Sequence, residues 1–408
     1  MTTFHRAHWK DYKVHVSSMN TFPTAAGLAS SAAGYAALVY ALARLFCAVE
    51  TFPGELSTIA RQGSGSACRS MYGGFVAWRK GTAENEWLDS KAEQVCGEGH
   101  WPELRALILV VSDEKKETSS TAGMSDSVKT SKLLGYRAAN LVDSSMAKIE
   151  EAYKARDFAT FGAITMADSN QFHATCLDTT PPIFYLNDTS RKIISVVHKY
   201  NTFKGSVRAA YTFDAGPNAV IYTTSRDLEE IAGLMVRHFP DPRTGTVVQK
   251  VARGLLGWPT YLNTNDFEVM EEAERYPIPP ELLTICGPDA AEKSRQGRLS
   301  ASWLGKKLAV ALPSWCFSGL VGGREEAFLL LRFVFFLTLV IFVPELVDYW
   351  SKEMDVRWIY VTRPGPGPQK VDKTSTSSLI DLDTGENAFK PPPKYGIFTG
   401  IVAFARKL

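Results

Sequence analysis

Three short stretches of this chain concentrate residue types that do chemistry. The first is TFPTAAGLASSAAG at 21–34. Pro23 and Gly27 break regular structure there. Ala25, Ala26, Ala29, Ala32 and Ala33 carry only methyl groups, so backbone can approach a ligand closely. The apolar run YAALVYALARLF at 35–46 follows, and it predicts a helix whose first turn begins near Ser30 and Ser31. A helix start has unpaired N–H groups and the positive end of the dipole. A bare loop feeding it suits phosphate, and two hydroxyls could add hydrogen bonds to phosphate or metal. The pattern also fits a tight turn with Ser as cap and alanines chosen for close helix packing. It is not the GxxxxGK[ST] pattern of Walker loops.

The second stretch is GSGSACRS at 63–70. Ser64 and Ser66 offer hydroxyls beside bare amides, and Arg69 adds a planar fork that fits carboxylate or phosphate. The plainer reading is a flexible turn with a surface Arg. The third is TFDAGPNA at 212–219, where Gly216 and Pro217 force a turn next to Asp214. A carboxylate there acts as a base only if it reaches the proton it removes; Asn218 beside it reads as structural. His173 and Cys176 in NQFHATC lie three apart and could share a helix face. No third group accompanies them, so packing is the better reading. Ser120 in SSTAGM is either a phosphate-facing hydroxyl or part of a helix cap.

These stretches need elements to hold them. Residues 12–16 alternate like a strand, and 56–60 begin a helix. The run LRALILVV at 104–111 reads as a buried strand. Helical patterns cover 145–155, 158–168, 191–200 and 228–238, and strands at 207–212 and 218–222 flank the DAGP turn. Asn187-Asp188-Thr189 reads as a surface turn. Strands and helices mixed without repeats suggest a two-layer α/β or α+β fold. The chain has 408 residues, which fits one large or two medium domains, and 45% hydrophobic residues provide an ample core. A net charge of +2 argues against a general field for nucleic acid or anionic lipid. The 6 cysteines are scattered without a CxxC pair, which speaks against a zinc cage or disulfide framework and fits a reducing compartment. The start, MTTFHRAHWKDYKVHV, has no apolar run for a signal peptide.

PTAAGLASSAAG resembles the phosphate-binding motif of the GHMP kinase superfamily, in the form carried by diphosphomevalonate decarboxylases. GSGSACRSMYGGFVAW at 63–78, SSTAGM at 119–124, DSNQFHATCLDTTPPIFYLNDTS at 168–190 and AYTFDAGPNAV at 210–220 resemble the same family. The likeness runs from about 12 to 240 and returns at VTRPGPGPQKV, 361–371, and SSLIDLDTG, 377–385. It implies an α+β, two-domain GHMP-kinase-like fold, with a ribosomal S5 domain 2-like N-terminal part and a ferredoxin-like C-terminal part. It implies conversion of mevalonate 5-diphosphate, ATP and Mg2+ to isopentenyl diphosphate, ADP, phosphate and CO2, in isoprenoid and sterol biosynthesis. Ala26, Gly27, Leu28, Ala29, Ser30 and Ser31 would bind ATP, with Ser31 also an active-site hydroxyl. Ser64, Ser66 and Ser120 would meet the substrate diphosphate, and Arg69 the substrate carboxylate. Asp214 would face the C3 hydroxyl as base or orienting group. No side chain is assigned to the metal. A cytosolic homodimer is expected, with no nucleic-acid partner.

Two features depart from the family. Its opening segment, resembling NIAVIKYWGKRD, has no counterpart in MTTFHRAHW, so strands of the first domain are expected to be missing. Nothing at 286–352 resembles the family either, and that stretch holds AFLLLRFVFFLTLVIFV at 327–343. A spanning helix needs about 20 apolar residues. A membrane anchor, a buried helix or strand, and translated sequence not selected to fold all stay open. The return of family-like sequence at Val361 favours the last. The expected divisions are a truncated first domain at 1–135, a second domain at 136–285, the atypical insertion at 286–352, and a strand and tail of the second domain at 353–408. A sibling GHMP kinase, or an inactive or membrane-tethered relative, remains the alternative function.

Overall fold

A near-continuous run of Leu, Ile and Val makes the central strand of this chain, shorter mixed or alternating stretches make the others, and apolar residues three and four apart make the helices. The computed structural model describes residues 12–20, 27–82, 84, 86–112, 116–239, 276–285, 356, 358–369 and 399–407. In chain order its elements are β1 (Tyr12–Asn20), α1 (Ser30–Leu45), α2 (Glu55–Gly63), a 3-10 helix over Gly65–Met71, β2 (Phe75–Trp78), α3 (Glu86–Asp89), β3 (Ala92–Cys96), β4 (Leu104–Val110), α4 (Ser120–Thr130), α5 (Lys132–Asn140), α6 (Val142–Ala155), α7 (Phe158–Asp178), α8 (Asp188–Lys204), β5 (Ala210–Phe213), β6 (Ala219–Thr224), α9 (Leu228–His238), α10 (Pro280–Ile285), β7 (Trp358–Thr362) and β8 (Thr399–Lys407).

A four-stranded antiparallel sheet in the order β5-β6-β4-β7 carries the main core. The apolar β4 occupies an inner position, which suits its unbroken hydrophobic run. Leu107, Leu109, Tyr211 and Ile221 from the sheet are buried with Ile193, Val197 and Tyr200 of α8 and Ile231, Leu234 and Met235 of α9. Burying each such side chain contributes roughly 1.5–3 kcal/mol. A second apolar cluster holds Trp101, Leu104, Ala152, Tyr153 and Phe161. β4 precedes residue 135 yet shares its sheet with β5 and β6. β8, from the far C-terminal stretch, pairs antiparallel with β1, Tyr12 opposite Lys407 and Asn20 opposite Thr399.

The Asn187-Asp188-Thr189 run differs from the surface turn expected. Asn187 caps α8: its Oδ1 accepts from Ser190 N at 2.9 Å, and Asn187 N donates back to Ser190 Oγ at 3.3 Å. Thr189 is buried. The Asx side chain therefore starts a helix instead of closing a turn. α7 also continues well past the expected 168, through the NQFHATC stretch. Among the described residues no helix is long and apolar enough to cross a membrane. The 327–343 run, with all of 286–352, lies outside the described residues.

One ion-pair cluster ties β2 and β3 to α6. Arg79, just after β2, pairs with Glu150 through two nitrogens, one of them at 3.2 Å, and with Glu93 at 3.0 Å. Glu150 is buried, and hydrogen bonding to Arg79 holds its carboxyl below the ordinary carboxylate range. A depressed folded-state pKa gives stability at neutral pH that is lost as pH falls through that lower value. Arg79→Met should destabilise by about 2 kcal/mol at pH 7, because a buried carboxylate loses its chief partner and keeps only Lys154 at 3.8 Å. In urea unfolding, the gap between parent and variant should narrow below about pH 4. A gap that stays constant into acid would contradict this role.

Candidate active site

The DAGP turn joins β5 to β6, and several elements fasten it. Gly216 N donates to Asp214 O at 2.7 Å, closing the turn. Asn218 is 1% exposed and its side chain reaches the end of β4: Oδ1 accepts from Val111 N at 2.7 Å and Ser112 N at 2.9 Å, while Nδ2 donates to Ser112 O at 2.9 Å. Ser190, in the first turn of α8, donates to Pro217 O at 2.8 Å. Phe213, Ala215 and Asn218 are buried, whereas Asp214 itself is exposed. The turn thus holds its backbone rigidly and presents one carboxylate.

The phosphate-loop candidate lies directly on this turn. Gly27 has φ +78°, and a Cβ there would sit 2.8 Å from Gly216 Cα. Only glycine satisfies both the left-handed backbone and the close approach. Ala29 follows with φ 55°, in the cap position of α1, and its side chain makes no cap hydrogen bond. A Ser cap is therefore ruled out. Ser30 and Ser31 lie inside the first turn, whose side-chain cap is absent. The buried face of α1 is Ala32, Ala36 and Ala43, which allows close packing of the helix that follows the loop.

Ser31 Oγ lies 3.1 Å from Ser64 Oγ, so the two hydroxyl-bearing stretches meet. The 3-10 helix that follows Ser64 carries Ser66, half-buried, and Arg69, exposed. The Arg69 guanidinium carbon is 5.9 Å from the centre of the Trp78 ring. Gly65 makes room for that tryptophan, since a Cβ on it would come 2.9 Å from Trp78. Beyond the helix, Gly73 and Gly74 receive the PGPGP segment after β7. A Cβ on Gly73 would be 2.6 Å from Gly367 N, and Gly74 N donates to Gly365 O at 3.0 Å.

Lys116 was not singled out in the sequence, yet it belongs here. Its Nζ donates to Ala215 O at 2.7 Å and lies 5.5 Å from the centre of the Tyr185 ring. Burial lowers its pKa, partly offset by the charge of Asp214. Tyr185 is pushed up to about 12 by burial, with further help from Cys176 and Asp214. Its hydroxyl donates to Ser119 O at 3.3 Å. Ser119 is the cap of α4, accepting from Ala122 N, so Ser120 begins that helix beside Tyr185. A signal for Lys116 was present: paired lysines just past the apolar run of β4, at the end where the Asp turn sits.

The structure brings Gly27, Leu28, Ala29, Ser30, Ser31, Ser64 and Asp214 into one chain of contacts, and Lys116 and Tyr185 connect Ser120 to it. Ser66 and Arg69 sit on the 3-10 helix that follows Ser64, with Arg69 over Trp78. Ala26 lies outside the described residues. His173 and Cys176 are buried on α7, and burial lowers the His173 pKa and raises that of Cys176. Among the described residues no three of His, Cys, Asp or Glu converge on a metal position.

This is an α+β enzyme scaffold of the GHMP-kinase fold, with a glycine-rich loop feeding a helix and set against an exposed aspartate. The profile of the diphosphomevalonate decarboxylase-like N-terminal domain matches residues 2–92, and that of the mevalonate 5-diphosphate decarboxylase C-terminal domain matches 106–274. The diphosphomevalonate decarboxylase of Danio rerio is 51% identical over 304 residues, covering 73% of each chain. That of Rattus norvegicus is 55% identical over 252 residues, 62% of this chain and 61% of the relative. A crystal structure of mevalonate 5-diphosphate decarboxylase superposes with a TM-score of 0.59 at 36% identity, covering 90% of this chain and 72% of that one. The Trypanosoma brucei enzyme gives 0.55 at 39% identity, with 64% of each chain covered. The chain belongs to the diphosphomevalonate decarboxylase family. It spans just under two thirds of the rat relative and nearly three quarters of the zebrafish one.

Asn218→Leu removes the partners of two backbone N–H groups and one carbonyl. It should destabilise by about 3 kcal/mol or more, since buried polar groups lose their bonds. Denaturant melts would show a lower midpoint with an unchanged slope. An unchanged midpoint would mean that β4 does not depend on this side chain.

Proposed function

We propose that this chain catalyses the ATP-dependent decarboxylation of mevalonate 5-diphosphate to isopentenyl diphosphate, ADP, phosphate and CO2. The observation that carries the reading is the contact of Gly27 with Gly216, which sets the phosphate loop against the Asp214 turn. Family membership supports the reaction, and the geometry is consistent with the roles proposed below.

The first-turn N–H groups of α1, free of a side-chain cap, take the nucleotide phosphates together with the backbone of residues 26–29. Ser31, paired with Ser64, supplies a hydroxyl between the nucleotide and the diphosphate of the second substrate. Ser64, Ser66 and Ser120 bind that diphosphate, and Arg69 takes the carboxylate in its planar fork. Lys116 holds the Asp turn through Ala215 and adds positive charge on its phosphate side.

Asp214 faces the tertiary C3 hydroxyl. It orients the oxygen and accepts its proton as the γ-phosphoryl group is transferred to it. The C3–O bond then breaks and phosphate leaves with the bonding pair. The bond from C2 to the carboxyl carbon breaks next, its electrons forming the new C=C bond and releasing CO2.

A magnesium ion fits this arrangement as a partner of the nucleotide phosphates and the Ser31 hydroxyl, where it would neutralise phosphate charge. No carboxylate cluster is needed for that duty. The same reading carries a cytosolic homodimer, supported by the family resemblance.

CO2 release from carboxyl-labelled substrate, with ATP and Mg2+, tests the assignment. Asp214→Asn should lower turnover by about 10^3-fold, while the affinity for MgATP stays within about threefold, because the phosphate loop is untouched. Parallel loss of nucleotide affinity and turnover would overturn the role given to Asp214.

A further inference from the structure

The residue ahead of Asp214 is held in a way the reaction alone does not explain. Phe213 ends β5, an edge strand of the sheet. In an antiparallel pair, the N–H and C=O of one residue point the same way, and on an edge strand one such set points away from the sheet. Phe213 sends its N–H to α7, where Ser169 Oγ accepts it at 3.1 Å. One helical turn later, the His173 ring lies against the same residue, its centroid 6.2 Å from that of the Phe213 ring, and the Phe213 backbone acts on it as a hydrogen-bond acceptor would, opposing the larger effect of burial. Nε2 of that ring is buried with no partner among the described residues, so Nδ1 is the nitrogen left to reach that backbone. The Phe213 carbonyl is the group left to receive it. Both side chains are buried, Ser169 at 4% and His173 at 8% exposure.

Packing fixes the ring in this orientation. Phe172, Tyr185 and Phe213 meet it edge-on, with centroids at 5.3, 6.5 and 6.2 Å. The titratable groups around it are Asp214 on the turn, Tyr185 ahead of α8, Cys176 on α7, and Lys116, which also meets Tyr185. Burial lowers the ring's pKa, against the opposing effects of the Phe213 backbone and Asp214, and so favours its neutral form. A neutral ring with Nδ1 donating leaves the Nε2 lone pair buried and unpaired, which costs stability. A phenyl ring would fill the same space without that cost. The position therefore keeps a donor to one peptide, where packing alone would choose a hydrocarbon.

We propose that Ser169 and His173 are positioning residues that clamp the Phe213 peptide and thereby aim the Asp214 carboxylate. The proposal rests on the reading that Asp214 acts on the substrate hydroxyl. Neither residue touches the reacting atoms. The clamp takes both backbone groups of one residue from one face of one helix, so it fixes the plane of the peptide that leads into Asp214. A misplacement of about 1 Å at a reacting group costs on the order of 10^2-fold in rate.

The test compares His173→Phe, His173→Asn, Ser169→Ala and Asp214→Asn in the full chain, by steady-state kinetics and thermal melting. Asn places an amide N–H where Nδ1 stands and so retains the donor. His173→Phe should lower kcat by about 10- to 100-fold with both KM values within about threefold, and its melting temperature should fall no further than that of Ser169→Ala, which also leaves one Phe213 backbone group unpaired. His173→Asn should recover most of that loss, and Ser169→Ala should lower kcat in the same direction. Full kcat in His173→Phe, or loss in His173→Asn equal to that in His173→Phe, would overturn the clamp. If His173→Phe does not fold, the Ser169→Ala and His173→Asn results decide by the same signs. Retained turnover in Asp214→Asn would overturn the reading beneath the proposal; an inactive Asp214→Asn beside a fully active His173→Phe would overturn the clamp alone.

Discussion

The site depends on one close approach between two backbones, Gly27 to Gly216, with no room for a methyl group between them. On one side is a loop that feeds a helix start. On the other is a turn that carries a carboxylate. Contact at this distance requires glycine on the loop side, in a left-handed conformation that other residues adopt only with strain. The rest of the architecture holds these two backbones where they are.

The turn side is held chiefly by hydrogen bonds to backbone. Asn218 spans to the end of β4, Ser190 reaches Pro217, and Lys116 reaches Ala215. Ser169 and His173 hold the residue before the aspartate. Five side chains, two of them on α7, thus serve a turn that would otherwise bury unpaired groups. The loop side is held by packing. α1 buries only alanines, Tyr35 lies over Gly63, and Ser31 meets Ser64. A polar lattice fixes the carboxylate, and a small-residue contact lets the loop come to it.

Much of this was legible in the residues. The strand 104–111, the helix 228–238 and the turn around Asp214 were readable because apolar period and breaker residues agree there. The helix after the loop was readable because a bare, broken stretch precedes an unbroken apolar run; that its glycine would meet the Asp214 turn was not, since that contact joins residues far apart in the chain. The cap of α8 was misread as a turn because Asn and Asp serve both, and only the downstream packing chooses between them. Lys116 was passed over because a lysine after a strand is ordinarily a solvated end; its role comes from Ala215, 99 positions away in the chain. The clamp was invisible for the same reason. Ser169 and His173 lie on a helix face that reads as plain core, and their partner is a backbone peptide, which leaves no pattern in sequence.

The most direct test of this account is the ratio of ADP to CO2 formed by the purified chain from mevalonate 5-diphosphate, ATP and Mg2+. A site that phosphorylates the C3 oxygen, then expels phosphate and then CO2 before releasing product must form ADP and CO2 in equal amounts, and the account predicts a one-to-one ratio over the reaction. ADP formed in step with substrate but without CO2 would mean that the loop and the aspartate turn make a kinase, and would contradict the account.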